Sequence, residues 1–274
     1  MLPGVVPGQP PPAEQLIISS RPAAGVAHIA LNRPERRNAL TEELAAALRE
    51  EVRLVASDPS ARALVLTGAG EAFCAGADLG SLGAEASTPE AKRQVLADYY
   101  RAFLDLRDLP IPTIAAVNGP AIGAGLNLAL CCDLRVVGED AQLAAPFVRL
   151  GIHPGGGSTW MLMRLAGVSA AREMLLLGQP IDSQRAFQLG IANRVVPVAE
   201  LGRAALEWAT ALAALSGPVL RNLKHSLWMA ETGASLDALL AFETAAQAES
   251  LLTEDAVEGW AALRERRPPQ FHDR

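Results

Sequence analysis

Cysteine is scarce in this 274-residue chain: there are three, Cys74, Cys131 and Cys132. An odd count without metal-ligand spacing excludes a disulfide framework and predicts no metal site. It points to a reducing compartment, so a cytoplasmic protein is expected. Cys131 and Cys132 are adjacent in an apolar run and read as small core residues. Basic charge is in deficit as well. Lys and Arg number 24 against 30 Asp and Glu, a net charge of −6, with no basic stripe. A nucleic-acid partner is therefore not expected. Aromatic residues make up 4% of the chain while alanine dominates, a composition that favours helix. No apolar run reaches membrane-spanning length, so no membrane partner is expected. Residues 1–13 are rich in Pro and Gly and lack the basic start and apolar core of a signal peptide. They are expected to form a flexible tail.

What is present is a globular composition, 50% apolar and 20% charged, long enough for one large domain with a helical appendage. Residues 113–117 are small and β-branched and read as a buried strand. Asn118-Gly119-Pro120 breaks it, and Gly123-Ala124-Gly125 then runs into an apolar helix ending near Cys132. A strand feeding a glycine-rich turn and a helix start presents unpaired backbone N–H groups at one point, with the helix dipole adding positive charge. Such a point suits an anion, or an oxygen that becomes one during a reaction. It is equally the form of a tight packing corner in an α/β fold.

The rest of the chain alternates. Residues 16–20 and 26–31 read as strands joined by a short turn. Thr41 is a good N-cap, and Leu44, Leu48, Val52 and Val55 fall on one face of a helix to about Ser57. Residues 63–67 form a short buried strand, followed by a compact loop over 71–82. Thr88-Pro89-Glu90 starts a helix whose apolar stripe is Ala91, Val95, Tyr99, Ala102 and Leu106. Strands are expected at 134–138 and 141–144. A second glycine-rich turn, 154–157, precedes helices at 158–165, 170–177 and 182–189, and a last strand lies at 194–196. From 200 to 266 the pattern is helical, broken near Gly217-Pro218, Gly233 and Leu252-Thr253. Strands alternating with helices, then helices alone, predict a parallel-rich sheet core with a C-terminal helical part. Those last helices must cover the core, reach a neighbouring subunit, or both.

Four local patterns line up. They are Asn32-Arg33-Pro34-Glu35 with Asn38-Ala39-Leu40; Gly70 to Leu79, read GEAFCAGADL; Ala116 to Ala121 with Gly123-Ala124-Gly125; and Pro146 with Leu150-Gly151 and Pro154 to Gly157. Together they resemble the enoyl-CoA hydratase/isomerase, or crotonase, family. The resemblance continues through Ala186, Leu189-Gly190, Val195-Val196, Glu258-Gly259 and Arg266-Arg267-Pro268 to Phe271, and covers roughly residues 15–271. It implies an α/β fold: a crotonase-like ββα spiral core over 14–200 and a C-terminal helical trimerisation region over 201–274. It also implies acyl-CoA as ligand, with CoA arriving as part of the substrate and no permanently bound cofactor. The N–H groups of Ala77 and Ala124 would hold the thioester carbonyl. Two preset donors in a dry pocket stabilise the negative charge that gathers on that oxygen, each by about 3 kcal/mol in comparable oxyanion holes. CoA contacts are implied for Arg36, Arg37, Ala39, Leu40, Ala75, Ala77, Asp78, Leu79 and Gly80. Arg36 and Arg37 could meet phosphates or be a solvated basic pair; Asp78 also reads as a local cap on its loop.

The chain departs from a hydratase of that family where proton transfer is done. The positions of the two glutamates hold Asn127 and Phe147, and the position of a carboxylate used by some isomerases holds Gly155. An amide cannot accept a proton at neutral pH, and a phenyl ring offers nothing. A positioned acid or base is worth typically ~100- to 10,000-fold, so water addition should be crippled with the oxyanion hole intact. His153, between Ile152 and Pro154, could act as base or be structural, bonded to a backbone carbonyl. Arg149 and Asp140 are weaker candidates, His225 reads as a surface or interface residue, and Ser158 and Thr159 read as helix caps. Three functions stay open: an acyl-CoA enzyme with non-standard catalytic groups, a non-catalytic acyl-CoA binding module, and a thioester hydrolase or C–C bond enzyme on the same scaffold. Apolar positions at Leu206, Leu212, Leu220, Leu227, Leu239, Phe242 and Leu251 exceed what a monomer covers easily. The resemblance then implies a homotrimer or a dimer of trimers.

Overall fold

The computed structural model describes residues 15–80 and 82–273; the tail expected over 1–13 lies outside them. The chain opens as an antiparallel pair, β1 (Ile17–Ala23) and β2 (Val26–Leu31). β1 is an edge strand with one face wet. β2, β3 (Ala63–Gly68) and β4 (Thr113–Val117) are buried along their whole length, as strands covered on both faces must be. With β6 (Leu134–Gly138) and β9 (Arg194–Val196) they make a six-stranded sheet in the order β1-β2-β3-β4-β6-β9, parallel after the first pair.

Alternate residues of these strands feed two cores, as a period of two requires. Leu64, Leu66, Ala115 and Val117 pack with Leu44, Leu48 and Val52 of helix α1 (Glu42–Ser57). Val65, Ile114, Ala116 and Val136 pack on the other face against Ala204, Ala205 and Ala209 of α7 (Leu201–Ala213). Each fully buried leucine or isoleucine contributes roughly 1.5–3 kcal/mol. α1 starts as expected, with Thr41 Oγ1 accepting from Leu44 N at 3.2 Å. His28, inside β2, is buried; its Nδ1 lies 3.1 Å from Ser20 Oγ, and burial pushes its pKa down to about 4, so it is neutral at pH 7.

Some expectations shift. In α2 (Pro89–Arg107) the stripe is buried only from Tyr99 onward. Ala91 is exposed and Val95 half-buried, because the first turns extend past the core. α3 (Ala124–Leu130) stops before Cys131 and Cys132, which remain buried. A second sheet joins β5 (Ala121–Ile122), β7 (Gln142–Ala144) and β8 (Ile181–Asp182). β5 and β8 are two residues long, too short to leave a periodicity in sequence. Pro146–Leu150 is a short 3-10 turn, and α4 (Ser158–Leu165), α5 (Gly167–Leu177) and α6 (Ser183–Gln188) follow it.

After α7 come α8 (Gly217–Glu231), α9 (Leu236–Ser250) and α10 (Glu254–Glu265), the breaks falling where the sequence placed them. α7 covers the sheet. α8 is lashed to the core by Lys224 Nζ to Asp133 at 2.7 Å, by the Arg107–Glu231 ion pair, and by Arg164 Nε to the Glu231 carbonyl at 2.9 Å. Leu223, Leu227, Trp228, Leu240, Trp260 and Leu263 of these helices are exposed in the single chain. No helix among the described residues is long and apolar enough to cross a membrane.

Candidate functional site

Two backbone segments run side by side beyond the ends of β3 and β4. Cys74 N donates to Pro120 O and Ile122 N to Cys74 O, both at 3.0 Å. The approach is close enough to demand glycine. A Cβ at Gly125 would sit 2.1 Å from the Cys74 carbonyl oxygen. Gly76 has φ +101°, and a Cβ on it would lie 2.7 Å from Ile122 O and 3.7 Å from Ala124 N. A Cβ on the residue before Ala77 would thus come into van der Waals contact with the amide of Ala124. Ala124 is the first residue of α3, and neither its N–H nor that of Ala77 donates to an acceptor among the described residues. Two amide donors are left open at one place.

A third segment closes the other side. Leu40 N donates to Gly76 O at 2.8 Å, Asp78 N to Leu40 O at 2.9 Å, and Ala75 N to Arg37 O at 2.9 Å. Ala39, Leu40, Ala75, Ala77 and Asp78 are therefore brought together, with Arg36, Arg37, Leu79 and Gly80 exposed around them. Asn38 holds the arrangement. It is fully buried at φ +56°; its Oδ1 accepts from Arg33 N at 2.9 Å, and its Nδ2 donates to Ala69 O and Ala72 O at 2.9 and 2.8 Å. Arg33 Nη1 reaches Ala39 O at 2.7 Å and lies 3.9 Å from Asp78 Oδ2. Asn118 does the same for the β4 corner, donating to Gly70 O at 2.9 Å and accepting from Gly68 N at 3.2 Å. The motifs Asn-Arg-Pro and Asn-Gly-Pro carried these residues, but their bracing role depends on contacts more than thirty positions away.

Asn127 sits one turn of α3 beyond Ala124, buried. Its Nδ2 donates to Gly155 O at 2.8 Å, and its Oδ1 has no partner. The Phe147 ring lies over the start of α3, 3.9 Å from where a Cβ on Gly123 would stand. Gly155 faces Tyr100 of α2: a Cβ there would be 1.9 Å from Tyr100 Oη. Sequence reasoning did not single out Tyr100; its neighbour Tyr99 carried the apolar stripe. His153 is exposed, with Nδ1 2.7 Å from the Pro154 carbonyl. Arg149 and Asp140 are exposed. Ser158 is buried without a partner for Oγ, and α4 has no side-chain cap, so the capping expected of Ser158 and Thr159 is not formed: Ser158 is already the first helical residue. His225 is exposed and stacks near Trp228 and Phe242, ring centroids 5.8 and 4.7 Å away.

Burial pushes the thiols of Cys74 and Cys132 up to about 12 and that of Cys131 higher still, so none is a nucleophile at neutral pH. Among the described residues no group of His, Cys, Asp and Glu could hold a metal ion. A cavity of about 460 Å³ opens at the opposite end of α3 beneath α8. Much of its charged lining is already engaged: Lys224 with Asp133, Arg107 with Glu231, and Arg135 with the carbonyls of Ile191 and Cys132.

Residues 21–274 match the family described as Enoyl-CoA hydratase/isomerase. The chain is 46% identical over 214 residues to the "Probable enoyl-CoA hydratase EchA14" of Mycobacterium tuberculosis, covering 77% of this chain and 81% of that protein. It is 37% identical over 265 residues to "Probable enoyl-CoA hydratase EchA12" of the same organism, covering 94% and 93%. The crystal structure of an enoyl-CoA hydratase from Bacillus anthracis superposes at a TM-score of 0.89 with 33% identity, covering 95% of this chain and all of that one. The fold is the crotonase fold, and the chain belongs to the enoyl-CoA hydratase/isomerase family.

Proposed function

We propose that the open amides of Ala77 and Ala124 hold the carbonyl oxygen of an acyl-CoA thioester. The observation that carries this reading is the meeting of two acceptor-free N–H groups where segments 74–77 and 121–124 are pressed together. Donors fixed by backbone packing need no reorganisation when charge gathers on the oxygen. Ala39, Leu40, Ala75, Asp78, Leu79 and Gly80 line the approach, and the exposed Arg36 and Arg37 stand where CoA phosphates pass. CoA enters as part of the ligand, with no resident cofactor.

Classical hydration lacks its machinery here. Asn127 is tied to Gly155 by its amide, and Phe147 puts a ring where a second carboxylate would stand. Hydration of crotonyl-CoA is expected at least ~1000-fold below that of a two-carboxylate hydratase. The test pairs calorimetric binding of acyl-CoA with loss of crotonyl-CoA absorbance. Binding with slow hydration supports the reading; turnover of ~100 per second or more, or no binding, overturns it. The Phe147 ring over the α3 corner also favours a second reading, a binding module that performs no chemistry, for which binding without any turnover is expected. Release of free thiol would instead point to a hydrolase.

The exposed leucines and tryptophans of α8–α10 support a homotrimer or a dimer of trimers. A sedimentation mass of one chain at micromolar concentration would rule that out. Three free, buried thiols fit a cytoplasmic setting.

A further inference from the structure

A half-buried phenol stands at the second glycine-rich turn. Tyr99, Tyr100 and Phe103 of α2 are in mutual edge contact, with Tyr100 ring centroids 5.8 Å from each of the other two, so its ring is held. Its hydroxyl occupies the space where a side chain at Gly155 would begin; a Cβ there would lie 1.9 Å from Oη and 2.7 Å from Cζ. A hydroxyl from another element has taken the volume of the missing isomerase carboxylate. No described residue hydrogen-bonds that hydroxyl. Burial raises the phenol further above its ordinary range, so at neutral pH it is an O–H donor and not a base.

The same glycine also meets the side-chain amide of Asn127. Asn127 Nδ2 donates to Gly155 O at 2.8 Å, which leaves the buried Asn127 Oδ1 unpaired. An unsatisfied buried amide oxygen is costly, and a ligand that fills it gains what the free protein forgoes. One donor and one acceptor thus flank Gly155, one helical turn from the amide of Ala124.

We infer that Tyr100 is a specificity-determining residue: its hydroxyl donates to, and Asn127 Oδ1 accepts from, a hydroxyl carried on the acyl chain beside the thioester. This rests on the acyl-CoA reading above. A saturated or enoyl chain offers neither partner, a ketone offers an acceptor alone, and a hydroxyl satisfies both.

The experiment is calorimetric titration of the whole protein with butyryl-CoA, acetoacetyl-CoA and each enantiomer of 3-hydroxybutyryl-CoA. One hydroxy enantiomer is expected to bind about tenfold more tightly than butyryl-CoA, with acetoacetyl-CoA between them. In Tyr100→Phe, with folding checked by circular dichroism, that ratio should fall to about two or less. Equal affinity of wild type for the hydroxy and saturated thioesters, or an unchanged ratio in Tyr100→Phe, overturns the role of Tyr100. Should the variant fail to fold, the wild-type ratio alone decides. Failure of every thioester to bind overturns the acyl-CoA reading itself, a different outcome from loss of selectivity.

Discussion

At the first glycine-rich turn, residues 118–125, glycine presses on backbone; at the second, 154–157, it presses on side chains. A Cβ at Gly119 would lie 2.0 Å from Glu71 O, and one at Gly125 2.1 Å from Cys74 O. At the second turn, Gly155 meets Tyr100 Oη and Gly156 meets the Phe103 ring, its Cζ 2.7 Å away. Backbone cannot be traded for something smaller, so the first turn tolerates one geometry. Aromatic side chains on a neighbouring helix can be exchanged one at a time. The open amide of Ala124 therefore belongs to the inflexible turn and that of Ala77 to the segment pressed against it, whereas Tyr100 and Phe103 face the adjustable one. A fold built this way can carry Asn127 and Phe147 where carboxylates would stand and keep its two open amides, because different contacts fix the two halves.

The largest expected effect comes from adding a methyl group to the inflexible turn. Gly125→Ala must push segment 120–125 off Cys74 and break the two 3.0 Å bonds between them. We expect a loss of about 3 kcal/mol or more in urea unfolding, together with loss of acyl-CoA binding. Gly151→Ala is the control. Gly151 has φ +68° with nothing within 4 Å of a Cβ, so only backbone strain opposes the change, roughly 1–2 kcal/mol. Gly125 lies within α3 and has no positive φ, so a cost there no larger than at Gly151 would show that contact with Cys74 does not set its demand for glycine.

The inflexible half was the half legible in sequence. Gly123-Ala124-Gly125 after Asn118-Gly119-Pro120 marks a strand-to-helix corner by residue type alone, while Ala77 is singled out only through the resemblance of its loop to the family's motif. The Thr41 cap and the Leu44, Leu48, Val52, Val55 face of α1 were equally plain, since both are local. What escaped was set by distant contacts or by very short elements. β5 and β8 have two residues each and no period. Asn38 and Asn118 read as turn residues, while their amides brace loops far along the chain. Ser158 read as a cap but is already inside its helix. Tyr100 is three residues from Phe103 on an amphipathic helix and looks like any aromatic beside the core stripe; only the approach of Gly155 gives it a place at the site.

A smaller effect sharpens the contrast from the adjustable side. Gly155→Asp returns a carboxylate to the isomerase position, but its Cβ would fall 1.9 Å from Tyr100 Oη. The ring, held between Tyr99 and Phe103, must move, and we expect a loss of about 2 kcal/mol. Tyr100→Ala clears the space at the expense of a half-buried ring. The double variant Gly155→Asp with Tyr100→Ala should then be more stable than the sum of the single changes predicts, by about 1–2 kcal/mol, since the clash is absent from it. Small side chains around Gly125 should bring no such relief, because the atom in the way there is a carbonyl oxygen of the main chain. Urea unfolding of the two single variants and the double variant measures the coupling directly. A coupling near zero would mean that Tyr100 swings aside freely. The second turn would then owe its glycines to its own backbone, with no contribution from the aromatic cluster above it.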